Sequence, residues 1–117
     1  MLIDPRDHKS ELEQSRGTEA KIWIFHVTLN RLAIGLFRKC DPEALYIVAI
    51  GCEHLSGPFS WEEANLSIIE GQNDHGEVRH RVIDHRAGFE LLCADVAMSR
   101  GLAAVPNNPF DGFLRDA

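Results

Sequence analysis

The chain has 117 residues, 44% of them hydrophobic and 26% charged, with 18 acidic against 12 basic side chains and a formal net charge of −6. That length suits one domain rather than two, and the balance of apolar and charged residues is that of a globular chain, not a disordered one. The acidic surplus argues against non-specific binding to nucleic acid or to an anionic membrane surface, since both need an excess of Lys and Arg.

Residues 4–16, "DPRDHKSELEQSR", open with Asp4 at an N-cap position and Pro5 at the first helical position, and Gly17 ends the run. Leu12 is the only large apolar residue between them, so residues 1–17 read as a marginal helix or a mobile arm with almost no face to bury. No basic region leads into an apolar run at the N-terminus, which gives no signal peptide, and no apolar run approaches the roughly 20 residues of a membrane span. Three cysteines, Cys40, Cys52 and Cys93, form no close pair and fit a reducing compartment better than a disulfide framework. The expectation is a soluble, cytoplasmic protein with no cofactor.

From Ala20 the texture becomes β-rich, and residues 18–101 read as one β domain. "KIWIFHVTL" is dense in β-branched and aromatic residues. Strict alternation places Trp23, Phe25 and Val27 on one face and Ile22 with Ile24 on the other. "RLAIGLFRK" follows, with Leu32, Ile34 and Leu36 on one face and Gly35 marking a bulge. After the Asp41-Pro42 turn comes "ALYIVAIGC", again apolar on both faces. "ANLSIIE" is a half-buried strand, "GQNDHG" a loop, and "EVRHRVID" a strand that enters a hairpin turn at "DHRAGF", where Gly88 supplies a positive φ. "FELLCADVAM" carries both helical and strand signals. Read as a strand, it completes a mainly β fold: a single antiparallel sandwich or partly open barrel of about six strands with a short N-terminal helix. Read as a helix at 87–100, it gives an α+β alternative. The tail, residues 102–117, holds Phe110, Phe113 and Leu114, too many large apolar residues for a free end, and is expected to dock.

Three constellations carry chemistry. In "GCEHLSGPFSW", Cys52 and His54 share a face if the strand is regular, which makes half a zinc site or half of a thiol enzyme; no second short-spaced pair completes it. The rest of that stretch reads as a turn at Gly57-Pro58, with Phe59 and Trp61 re-entering the core. Cys52 and Cys93 sit among aliphatic neighbours, which raise a thiol's pKa and make it inert. In "RHRVIDHR", Arg79, Arg81 and His85 line one face and could receive an anion or an acidic patch on a partner, unless acids on adjacent strands neutralise them. Aromatic residues Trp23, Phe25, Phe37, Tyr46 and Trp61 could line a small-molecule carrier's pocket. The leading expectation is a non-catalytic binding or assembly module of unknown ligand; the alternatives are a metal-binding or thiol-dependent enzyme using Cys52 and His54, and a carrier with an aromatic pocket. Strands apolar on both faces need a second cover, so a homodimer or higher even oligomer is expected, with Trp23, Phe25, Phe110 and Phe113 at the interface.

Overall fold

The computed structural model describes residues 2–28 and 30–102. After a single 3-10 turn at Pro5–Asp7 and helix α1 (His8–Gln14), the described chain is all strand and turn. The strands are β1 (Glu19–His26), β2 (Arg31–Phe37), β3 (Glu43–Ile50), β4 (His54–Ser56), β5 (Ser60–Trp61), β6 (Ser67–Gln72), β7 (Val78–Asp84), β8 (Phe89–Cys93) and β9 (Asp95–Leu102). They form two antiparallel sheets, a five-stranded one in the order β5-β1-β2-β3-β9 and a four-stranded one in the order β4-β8-β7-β6. The mainly β sandwich expected from the sequence is therefore the observed fold. Residues 89–102 are strand and not helix, divided into β8 and β9 at Ala94.

The core lies between the sheets. In the five-stranded sheet the registers Ile34–Ile47–Met98 and Leu32–Ala49–Val96 point inward, and the four-stranded sheet answers with Val82, Phe89, Leu91 and Cys93. Gly88 takes φ +71° in the β7–β8 turn, as the sequence predicts. Gly57 has φ +121°, and a Cβ there would stand 2.7 Å from the Gly88 carbonyl oxygen, so only glycine lets the two turns meet.

Asp84 brings a polar side chain into this layer. It is almost fully buried, and its carboxylate accepts hydrogen bonds from Trp61 Nε1 (2.8 Å), the Asn65 amide (2.8 Å) and the Ala87 amide (3.3 Å). One side chain thus ties β5, the loop before β6 and the β7–β8 turn together. The Trp61 ring packs on Phe89 with centroids 4.6 Å apart.

The expected short N-terminal helix is present, and two sequence readings change. The helix is docked: Asp4 caps the opening turn, Leu12 and Ile3 are buried in the core, and Glu11 pairs with Arg100 of β9. The Arg38 guanidinium caps the far end, donating to the Gln14 and Arg16 carbonyls at 2.6 and 3.0 Å. Polar contacts supply what the missing apolar face does not. The register shift falls on β1, not at Gly35: Ile22 pairs with Ile34 and Ile24 with Ala33, leaving Trp23 as the extra residue. Gly35 instead leaves room for the Phe37 ring, which lies 2.5 Å from where its Cβ would stand. Trp23 therefore joins Phe37 and Tyr46 on the outer face, while Phe25, in register with Leu32, faces inward. Finally, Phe59 does not re-enter the core; it is 78% exposed.

Candidate functional site

Where the two sheets diverge along one side, β1 belongs to the five-stranded sheet and β4 is the edge of the four-stranded one. Strand β5 covers β1 only at Ala20 and Lys21, and the next contact is a single bond from the Ile22 amide to the Phe59 carbonyl (2.8 Å). An apolar cleft of about 270 Å³ opens there. Leu32, Leu91 and Cys52 line it from the core side, Ile22 and Phe25 from β1, and Leu55 and Phe59 from β4 and the turn after it. Phe25 is 51% exposed despite facing inward, because among the described residues no opposing strand closes over it.

The polar rim is fixed by backbone geometry. Asn30, at φ +53°, donates through its side-chain amide to the Cys52 carbonyl, and the Cys52 amide donates to the Asn30 carbonyl at 3.0 Å. These bonds tie the β1–β2 turn to the β3–β4 connection. Gly51, at φ +66°, turns the chain out of β3, and the Glu53 amide donates to the Leu92 carbonyl (2.8 Å). Cys52 is directed inward, its Sγ 3.6 Å from the Ala49 carbonyl oxygen. His54 lies in register with Leu92 and Arg81 on the outer face of the four-stranded sheet. The turn at Gly51 breaks the regular alternation that would have put Cys52 and His54 side by side. Among the described residues, no three His, Cys, Asp or Glu side chains are grouped to hold a metal ion. Burial pushes the Cys52 thiol up to about 11 and the Cys93 thiol up to about 12, so neither is a thiolate at neutral pH.

Arg79 and Arg81 share the outer face of β7. Arg79 is bonded to Glu53 and lies 3.7 Å from Glu77, while Arg81 meets Glu90 at 2.7 Å. The Glu53 carboxylate holds the Arg79 guanidinium above its usual pKa. His85 is exposed in the turn beyond the strand, outside these pairs. The five aromatic residues expected to line one pocket are dispersed: Phe25 enters the cleft, Trp61 packs against Phe89, and Trp23, Phe37 and Tyr46 cluster on the outer face of the five-stranded sheet. Phe110 and Phe113 lie outside the described residues.

A second, more polar cleft of about 500 Å³ lies between α1 and the ends of β6, β7 and β9. His8, Lys9, Glu13 and Arg16 line it from the helix side, and Glu70, His80 and Asp95 from the strands. His80 is engaged by the Ala94 carbonyl at 3.2 Å and by Glu70 at 3.8 Å. Lys9 and Arg16 stand beside three carboxylates, Glu13, Glu70 and Asp95, so this cleft carries both signs of charge with no positive surplus.

The lining residues Ile22, Leu32, Leu55, Phe59 and Leu91 escaped sequence reading, because they meet only through the placement of β4 beside β1. One signal was present: an aromatic directly after the Gly57-Pro58 break. No family model matches this sequence, and no curated protein or solved structure matches it either.

Proposed function

We propose that this protein is a non-catalytic binding module that takes a small apolar ligand, or the apolar end of a larger one, in the cleft between β1 and β4. The observation that supports it is the convergence of Phe25, Leu55 and Phe59, all exposed, on one concave apolar site. Exposed apolar surface gathered around a cleft marks a binding surface more often than scattered single residues do. The cleft volume sits near the ~300 Å³ lower end of ligand pockets, which suits a ring or a short acyl chain and not a nucleotide. Asn30 and Glu53 at the rim would meet a polar head group.

The metal or thiol-enzyme alternative is less well supported, because Cys52 and His54 are directed to different faces and both buried thiols hold their protons. Titration with 1-anilinonaphthalene-8-sulfonate tests the binding reading. Saturable binding to one site is expected, lost in Leu55→Glu, with alkylation of Cys52 slowed by the bound dye. Binding that does not saturate, or that survives Leu55→Glu unchanged, refutes it.

A further inference from the structure

The outer face of the five-stranded sheet is closed to solvent at its centre: Ala33, Tyr46 and Val48 are 0% exposed and Ala44 is 1% exposed. Yet every described residue of that cluster, including Trp23, Phe37, Ile50 and Ala97, belongs to the same sheet. Side chains standing next to one another on a pleated surface shield each other's flanks and leave their tips in solvent. A layer above them is required.

The chain itself shows where that layer comes from. Strand β9 is the edge of this sheet, and its last residue, Leu102, pairs with Glu43 beside the apolar face. The Tyr46 side chain stands on that face, in register with Gly35 and Ser99, and its hydroxyl donates to the Leu102 carbonyl at 2.7 Å. A phenol rooted in the middle of the outer face thus holds the final carbonyl of the strand toward that face. Gly101 has the Tyr46 ring 3.6 Å from where its Cβ would stand, so the ring lies close over the departing chain. Residues 103–117 follow, carrying Phe110, Phe113 and Leu114. About 27 Å of extended chain separates Leu102 from Phe110, against about 14 Å from β9 across the sheet to β1.

We propose that residues 103–117 are the cover of this face, placing Phe110, Phe113 and Leu114 over Trp23, Phe37, Tyr46 and Val48. The homodimer expected from the sequence would need the same surface, so an intramolecular cover leaves the protein monomeric there. The sequence holds two tryptophans, Trp23 on the covered face and Trp61 between the sheets, which makes the contrast measurable. In protein labelled with 5-fluorotryptophan, fluorine NMR gives one resonance for each, and the shift between H2O and D2O reports its exposure to solvent. The double variant Phe110→Asp/Phe113→Asp in the full chain is expected to raise the isotope shift of Trp23 several-fold and leave that of Trp61 unchanged. If the double variant does not fold, Phe113→Ala carries the same readout at smaller amplitude. A Trp23 signal as shielded in the folded variant as in the parent overturns the proposal. So does shielding that falls on dilution of the unmodified chain together with a drop in mass toward 13.1 kDa, because the cover is then a second copy.

Discussion

The two outer faces of this sandwich are built from strands of the same kind and behave in opposite ways. On the four-stranded sheet, the outward residues Arg79 and Arg81 reach Glu53 and Glu90, Ile83 alone among the described residues is buried beside them, and His54 and Ile69 are exposed. On the five-stranded sheet, the outward residues are Ala33, Tyr46, Val48 and Ala97, flanked by Trp23 and Phe37. A two-layer sandwich requires only its inner faces to be apolar. One sheet obeys that minimum, and the other is written for a third layer.

A matched pair of substitutions breaks or confirms that contrast. Val48→Asp puts a carboxylate on a fully closed face with no partner, which costs several kcal/mol out of a typical total of about 5–15 kcal/mol. Loss of the cooperative urea transition at 25 °C is expected. Ile69→Asp, on the outer face of the other sheet, should change the unfolding free energy by less than about 0.5 kcal/mol. Equal effects would dissolve the distinction between the faces.

The layer between the faces supplies the next effect. Asp84→Ala leaves three donors, Trp61 Nε1 and the amides of Asn65 and Ala87, without their acceptor. A loss of about 2–4 kcal/mol in guanidinium denaturation is expected, and Asp84→Asn, which keeps one acceptor oxygen, should lose less. A neutral Asp84→Ala would show that the carboxylate does not organise these turns.

Alkaline pH sharpens the same division. Cys52 and Cys93 hold their protons to about 11 and about 12 in the folded protein, against about 9 when solvated. The folded state therefore binds these protons more tightly, so their contribution to stability is intact below about pH 9 and is lost as pH rises toward about 12. Denaturation midpoints should fall across that window, and less steeply in Cys52→Ala/Cys93→Ala. At pH 8 a thiol reagent should label the exposed Cys40 quickly and the buried Cys93 only on unfolding. Rapid labelling of Cys93 in the folded protein would contradict its place in the core.

The smallest effect belongs to the charged face. Arg81→Ala removes the pair with Glu90 and should cost about 0.2–1 kcal/mol, less in 1 M salt. A larger loss that does not respond to salt would mean that this face does more than stay hydrated.

The sequence made much of this architecture legible and most of the cleft illegible, for a common reason. Strand composition, the Gly88 turn, the Asp4–Pro5 helix start and the apolar outer faces of β2 and β3 are local properties that pattern alone carries. The alternation of β7 was also readable, with Arg79 and Arg81 opposite Val82 and Asp84, although the burial of Asp84 was not. The cleft depends on which strands lie beside each other. Nothing within His54–Ser56 says that it forms the edge facing β1. The docking of α1 was hidden too, because it rests on the distant partners Arg38 and Arg100 and not on an amphipathic face.

Trp23 has one more consequence. A strand with a strict two-residue period keeps odd and even positions on opposite sides for its whole length. The extra residue in β1 works as a phase shift: Ile22 and Phe25, of opposite parity, both serve the cleft, while Lys21, Trp23 and His26 belong to the far side. One eight-residue strand can therefore address two unrelated surfaces. The arrangement depends on length as much as on side-chain identity. Removing Trp23 would restore the period and leave Ile22 and Phe25 two residues apart on the cleft side, while the far side alone would lose a ring.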